Sequence, residues 1–332
     1  MDASGVSAKK RIVVLYTGGT IGMKSTANGL AANGGFEDVL FEYLATAPVI
    51  QQAQIVFREL QPVIDSASMT PDYWLALRDV IVEVASNGRC AGVIILHGTD
   101  TLAYSAAALA FHLIGLQAPV VFTGSMLPVG VENSDAWENI DGALALVVGG
   151  VDNGVWVHFH GQTILGTRCS KVRSVGRGAF AEAARARMPT AYSSLPAELD
   201  YSVRKIRVEV AALSLYPGMG ACVLHALVAQ KVQGIVLECY GSGTGPCDDP
   251  GFIEALQVAR DNGVVVIAIT QCAEGGVELG TYVAGSALLT AGVVTGGTIT
   301  REAALGKLHV LLGAGLPADQ VSHLFALGLC GE

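Results

Sequence analysis

The sequence predicts an α/β protein: a large N-terminal domain on a mostly parallel sheet flanked by helices, then a smaller C-terminal α/β domain. Short runs rich in Val, Ile and Leu alternate with longer helical patterns, as βαβ units require. The chain has 332 residues, long for one domain and suited to two at about 150 residues each. Residues 181–202, AEAARARMPTAYSSLPAELDYS, are polar and Ala-rich, with two prolines and no strand-like run. Such composition marks a boundary, so residues 1–193 are read as the first domain, 194–207 as a linker and 208–332 as the second.

Strands are predicted at 11–16, 54–59, 92–96, 119–123, 155–159, 207–215, 234–239 and 264–270. Between them lie helical patterns such as PDYWLALRDVIVEVAS, where Trp74, Leu77, Val80, Ile81 and Val84 recur at spacings of three and four. The low-complexity stretch KSTANGLAANGG at 24–35 reads as a mobile loop. Two uncharged runs invite a membrane reading, but a spanning helix needs about 20 unbroken apolar residues. His112, Gly115, Gln117 and Pro119 divide the first run, and five glycines from Gly280 to Gly297 divide the second.

Half of the residues are apolar (51%) and 15% are charged, below the roughly 25% charged residues usual in soluble domains. Extensive burial and subunit contacts follow. The net charge is −9, and the one compact basic cluster is RCSKVRSVGR at 168–177, which argues against a nucleic-acid partner. Seven scattered cysteines without a CxxC pair read as reduced thiols, neither a zinc site nor a disulfide frame. The start, MDASGVSAKKR, is polar with no apolar signal region behind it. A cytoplasmic protein without membrane segments is expected.

The strands run into TGGTIG, LQPVIDS, HGTDT, TGSM, HFHGQ, SLYPG, CYGSGTG and TQC. In open α/β sheets ligands bind beyond the carboxyl ends of the strands, so these hydroxyl- and glycine-rich loops point to a small polar ligand. Each loop alone is equally an ordinary turn or helix cap. GGTIGMKS fails as a phosphate loop because Met23 stands where glycine must precede Lys24, and TGGTIG lacks the GxGxxG spacing. No nucleotide cofactor and no metal is predicted.

Gly18 and Gly19 instead let the backbone approach a ligand while Thr20 presents a hydroxyl from a rigid strand end. A threonine hydroxyl is a weak nucleophile without a base or hydrogen-bond partner. Candidate partners are Thr99 and Asp100 in HGTDT and Lys171 in RCSK, a lysine being able to act as base where its surroundings favour the neutral form. Alone, Asp100 reads equally as the N-cap of TLAYSAAALAFHL, and Lys171 as a solvated loop charge.

With these motifs assembled, the sequence resembles the bacterial-type L-asparaginases, closest to the cytoplasmic type I branch. The motifs span nearly the whole chain: YTGGTIGM (16–23), DSASMTP (65–71), ILHGTDTLAY (95–104), VVFTGSMLP (120–128), RCSK (168–171), SLYPG (214–218), CYGSGTGP (239–246), TQC (270–272) and GKLHVLL (306–312). The resemblance implies hydrolysis of L-asparagine to L-aspartate and ammonia, with Thr20 as nucleophile and a second group of Thr99, Asp100 and Lys171. It assigns Asp65, Ser66 and Ala67, with Asp100, to the substrate's α-carboxylate and α-amino groups, and Gly19, Gly98 and Ser125 to the lining of the pocket. It further implies a homodimer or homotetramer in which the neighbour's C-terminal domain, including Thr244, completes each site, and no cofactor.

Four departures from the family pattern stand out. Leu30 occupies the place of a lid tyrosine, and no tyrosine lies between Tyr16 and Tyr43. Thr244 stands where asparagine is common. Glu238 replaces a basic residue at an activating site that some type I enzymes have near Ser170 and Cys272. The segment from Phe180 to Tyr216 is shorter than in close relatives. Two alternative activities share the pattern: an amidotransferase subunit that passes ammonia to a partner, and a catalytically weakened amino-acid-binding protein.

Overall fold

The computed structural model describes residues 9–26, 29–31, 34–48, 52–86, 90–188, 194–280 and 283–332. Strands β1 (Lys10–Gly18), β2 (Lys24–Thr26) and β3 (Gly29–Ala31) precede helix α1 (Phe36–Leu44). Then come β4 (Ala53–Ile64), α2 (Pro71–Ala85), β5 (Cys90–Leu96), α3 (Leu102–His112), β6 (Pro119–Thr123) and α4 (Ala136–Gly149). Strands β7 (Gly154–Phe159), β8 (Gln162–Leu165), β9 (Cys169–Lys171), β10 (Phe180–Glu182) and β11 (Val210–Ser214) lead to α5 (Cys222–Ala229). The chain ends with β12 (Gly234–Cys239), α6 (Pro250–Asp261), β13 (Val265–Thr270), α7 (Val283–Thr290), β14 (Val294–Thr295), α8 (Arg301–Gly313) and α9 (Ala318–Phe325).

Two compact units form, and their borders cross the sequence order. The first holds residues 1–106, 115–164 and 171–181; the second holds 107–114, 165–170 and 182–332. In the first unit six strands order as β4-β1-β5-β6-β7-β8. The pairs β1–β4, β1–β5, β5–β6 and β6–β7 are parallel, so their carboxyl ends gather on one edge. Ile12, Val14, Ile94, Leu96 and Val121 pack on one face against α1 and α4. Both faces of a parallel sheet are covered, which is why the central strands read as continuous apolar runs.

In α2, Thr70 caps the start by accepting the Tyr73 amide, and Pro71 occupies the first turn, as N-terminal chemistry favours. Its predicted face is the inward one: Trp74, Leu77, Ile81 and Val84 are buried, with Val80 half-buried. The first uncharged run resolves into α3 and β6, joined through Gly115. Among the described residues no helix is long and apolar enough to cross a membrane.

HFHGQ, read from sequence as a strand-end loop, is a tight hairpin turn between β7 and β8, with positive φ at both His160 (48°) and Gly161 (72°). Two positive φ values are what a two-residue hairpin turn of the primed type requires. KSTANGLAANGG contains a second small hairpin, in which β2 pairs with β3 and the Leu30 backbone lies opposite Ser25. Residues 27–28 and 32–33 of that stretch, and 189–193 of the expected boundary region, lie outside the described residues.

The second unit has a parallel sheet ordered β11-β12-β13-β14. One of its clusters gathers Val236, Ile267, Leu308, Leu311 and Phe325; the other gathers Leu224, Ile235, Leu237, Phe252 and Leu256. Lys307 of α8 is buried completely and paired with Glu332 at 2.6 Å. Its ammonium also donates to the Phe325 carbonyl at 2.9 Å and to the Leu327 carbonyl. A buried charge survives where its hydrogen-bonding capacity is met in this way.

Candidate active site

At the gathered strand ends of the first unit, the loops after β1, β4 and β5 touch. Gly19, in the loop after β1, has φ 89° and ψ 177°, a conformation that L side chains resist. A Cβ there would lie 2.3 Å from both the N and Cα of Gly98. At Gly98, which follows β5, a Cβ would come within 2.5 Å of Ser66 Oγ and 3.1 Å of Gly19 Cα. The two glycines therefore bring the residues before Thr20 and Thr99 into backbone contact, with Ser66 against the same point.

Thr20 begins a single 3-10 turn, Thr20–Gly22, that ends in a hydrogen bond from the Met23 amide to the Thr20 carbonyl at 3.1 Å. Its side chain is half-buried. Tyr16 packs beneath this turn, its hydroxyl lying where a Cβ on Gly22 would fall. Burial, and to a lesser degree the Glu59 carboxylate, keeps the Tyr16 phenol protonated far above the ordinary tyrosine range. No described residue makes a hydrogen bond to the Thr20 hydroxyl.

Thr99, Asp100 and Lys171 assemble into one group. Lys171 Nζ donates to Thr99 Oγ1 at 2.9 Å and to Asp100 Oδ1 at 2.6 Å. Thr99 is 6% exposed, whereas the side chains of Lys171 and Asp100 are 18% and 64% exposed. The ammonium thus reaches inward to a buried hydroxyl while a carboxylate holds it from the solvent side. Asp100 is engaged by Lys171, and Lys171 is not a freely solvated charge.

Asp65, at the end of β4, caps a 3-10 turn over Ser66–Ser68 by accepting the Ala67 amide at 3.1 Å. Ser66 is buried, while Asp65 and Ala67 are exposed. Ser125 follows β6, is buried and donates to the Leu127 carbonyl at 2.6 Å. Thr244 belongs to the second unit, after β12, where its hydroxyl donates to the Tyr240 carbonyl at 3.3 Å.

Several strand-end hydroxyls prove to be structural. Thr17 donates to the Leu96 carbonyl, Thr101 to the Ser66 carbonyl and Thr123 to the His158 carbonyl, at 3.0, 2.8 and 2.7 Å. The first and third join neighbouring strands, β1 to β5 and β6 to β7, and the second joins the loops after β5 and β4 across β1. Thr20 and Ser66, by contrast, have hydroxyls that the described fold leaves unspent.

Sequence reading missed two residues that shape the site, Asp135 and Asn139 on and beside α4. The Asp135 carboxylate, 1% exposed, accepts the Met126 and Leu127 amides at 3.0 and 3.1 Å and the Asn139 amide at 3.1 Å. Asn139 donates to the Gly124 carbonyl at 2.9 Å and accepts the His160 amide at 2.8 Å. Together they fix the loop that carries Ser125. Their one sequence signal is the spacing of four residues in SDAWEN, which places both on one helix face.

His97, just before Gly98, is fully buried, and its Nδ1 contacts the Gly98 carbonyl at 2.7 Å. Burial pushes the ring's pKa down to about 4, so it is neutral at physiological pH. Among the described residues no group of three or more His, Cys, Asp or Glu is placed to hold a metal ion.

Comparison with known proteins gives this arrangement its family. The family model described as "Asparaginase, N-terminal" matches residues 11–196, and "Glutaminase/Asparaginase C-terminal domain" matches 209–325. L-asparaginase 1 of Escherichia coli (strain K12) is 35% identical over 347 residues, covering 98% of each chain. The thermostable L-asparaginase from Thermococcus kodakarensis superposes with a TM-score of 0.83 at 33% identity, covering 97% of this chain and 98% of that one. L-asparaginase I from Vibrio cholerae gives 0.82 at 32% identity, covering 98% and 99%. With both family models matched in order along one chain, and with the touching TGGTI and HGTDT loops that the fold displays, the chain belongs to the asparaginase family.

Proposed function

We propose that the protein is an L-asparaginase that hydrolyses L-asparagine to L-aspartate and ammonia through a threonine ester. The observation that carries this reading is the Lys171–Thr99–Asp100 group beside the Gly19–Gly98 contact, in a chain whose relatives are named L-asparaginases. Thr20 Oγ1 attacks the side-chain amide carbon. The Thr99–Lys171 pair takes its proton and returns it to the departing nitrogen, which leaves as ammonia. In the second half the same pair takes a proton from water, whose oxygen attacks the ester and frees aspartate and Thr20.

The pair acts as base once Lys171 has given up one ammonium proton: the resulting amine takes the Thr99 proton as Thr99 takes that of Thr20, and the two transfers reverse to protonate the leaving nitrogen. Backbone amides of the glycine-rich turns stabilise the developing oxyanion. Asp65, Ser66 and Ala67, with Asp100, receive the α-carboxylate and α-ammonium of the substrate; Gly19, Gly98 and Ser125 line the pocket. Thr244 serves the site of a neighbouring copy, which makes the working unit a homodimer or homotetramer. Location in the cytoplasm fits the seven cysteines, all of them unpaired.

The deciding experiment is ammonia release from L-asparagine by the purified protein, beside Thr20→Ala and Thr99→Val. Activity in the wild type and its loss in both variants supports the assignment. A wild type inactive on both asparagine and glutamine sinks it.

A further inference from the structure

A cavity of about 460 Å³ lies behind the Thr20 turn, within the first unit and away from the Thr99–Lys171 group. Its walls include three aromatic side chains, Phe36 and Tyr43 of α1 and Trp137 of α4. Tyr43 and Trp137 are stacked with centroids 4.0 Å apart and planes 7° from parallel, and the Tyr43 hydroxyl is fixed by a 2.5 Å bond to Asp141. The aromatic wall is thus fixed by contacts within the fold itself. The volume falls within the usual range for small-molecule pockets.

Two charges of opposite sign also line the cavity, Lys24 where the β2–β3 hairpin begins and Glu42 on α1. Both are exposed, and neither makes an ion pair or hydrogen bond with a described residue. Aromatic walls with one unspent cation and one unspent anion complement a ligand that carries a ring, a carboxylate and an ammonium.

We propose that this cavity binds an aromatic α-amino acid, its ring against Phe36 and the Tyr43–Trp137 pair, its carboxylate on Lys24 and its ammonium on Glu42. Such a ligand ties the hairpin to α1. Met23, also in the wall, donates its amide to the Thr20 carbonyl at 3.1 Å, so the tie acts one hydrogen bond from the nucleophile. It holds the Thr20 turn in the arrangement seen here, where the hydroxyl has no described partner. Occupancy therefore lowers turnover without competing with substrate.

Binding stands on the cavity alone; its effect on turnover rests on the reading of Thr20 above. Calorimetric titration of the whole protein with L-phenylalanine tests the first, with phenethylamine and 3-phenylpropionate as ligands that each lack one charge. Saturable binding is expected, weakened about tenfold or more for both single-charge compounds and in Lys24→Met and Glu42→Gln. Val39→Phe, at a half-buried position on the cavity wall, fills the space and should abolish it. No saturable binding, binding indifferent to both charge variants, or displacement of phenylalanine by L-aspartate overturns the site.

In the ammonia assay, saturating phenylalanine should lower kcat about fivefold, the low end of ordinary coupling between sites, with KM little changed. An effect on KM alone, or none in a protein that hydrolyses asparagine, overturns the regulatory link while the titration judges the site. A protein inactive on asparagine but binding phenylalanine removes the enzymatic reading and leaves the site standing.

Discussion

The ammonium of Lys171 donates to the hydroxyl of Thr99 at 2.9 Å, joining two residues 72 positions apart in the chain. Thr99 is buried and Asp100, the other partner of Lys171, faces solvent. The exposed carboxylate contributes at most about 1 kcal/mol to stability, and in the proposed mechanism the Thr99–Lys171 pair serves as the base. Lys171→Met should lower kcat about a hundredfold or more while shifting unfolding free energy by less than about 1 kcal/mol. Ammonia release and urea unfolding on the same preparation read the two together; equal loss of stability and activity would contradict the assignment.

The contact between Gly19 and Gly98 leaves no room for a methyl group. A Cβ on Gly98 would fall 2.5 Å from Ser66 Oγ and 2.7 Å from Ser66 Cβ, so Gly98→Ala must displace the turn that carries Ser66. A misplacement of about 1 Å in a reacting or binding group costs about a hundredfold in rate. The expected outcome is a loss of that order in kcat/KM, measured by ammonia release across a substrate series. At Gly19 the same substitution adds strain at φ 89°, and the protein should also lose about 1–3 kcal/mol of stability.

Much of this site was legible because it hangs on strand ends. Eight apolar runs gave the main strands of both sheets, and the loops after them held Thr20, Ser66, Thr99 and Ser125. What could not be read was which hydroxyl is spent on the fold. Thr17, Thr101 and Thr123 look like Thr20 in sequence, yet each donates to a carbonyl 35 or 79 residues away. Such partners follow from sheet order, which local pattern does not specify. The β7–β8 hairpin was missed because His160 adopts positive φ, which only about a few per cent of residues other than glycine do. Asp135 went unread because its carboxylate turns back to amides eight and nine residues earlier, a pairing that no local pattern marks.

That buried carboxylate gives a stability prediction. Asp135→Ala leaves the Met126 and Leu127 amides and one Asn139 donor without an acceptor. A buried group so orphaned costs about 1–3 kcal/mol; the Asn139 donor is buried and the two amides are partly so, and a loss of about 2–3 kcal/mol is expected. Asp135→Asn keeps an acceptor oxygen and should recover part of it. Urea unfolding of the two variants orders them; equal stability of Asp135→Ala and wild type would show that the loop is held by something else.

Glu238 yields a kinetic prediction. It lies one residue before the end of β12, is 2% exposed, and both of its oxygens are engaged by Arg301, one of them at 2.7 Å, with the Ser214 hydroxyl donating as well. A carboxylate so occupied repels rather than receives the carboxylate of an amino acid at that place. The dependence of initial rate on asparagine should therefore be hyperbolic. A clearly sigmoidal curve in the wild type would count against this.

His97 sets a pH dependence of stability. Its ring titrates near 4 in the fold because burial disfavours the imidazolium, against about 6.5 in an unfolded chain. Between those values the unfolded chain holds the extra proton, so stability rises with pH across the window and is lost as pH falls from about 6.5 towards about 4. One such group contributes a slope of up to about 1.4 kcal/mol per pH unit. His309 of α8, also lowered to about 4 by burial, adds to the slope with the same sign. Burial lowers His158 as well, and His97→Gln removes one of these three titrations. Urea unfolding at pH 7, 5.5 and 4.5 should show a steep loss in the wild type and a shallower one in the variant, whatever the variant's stability at pH 7. Parallel profiles would mean that the His97 ring does not govern the acid limb.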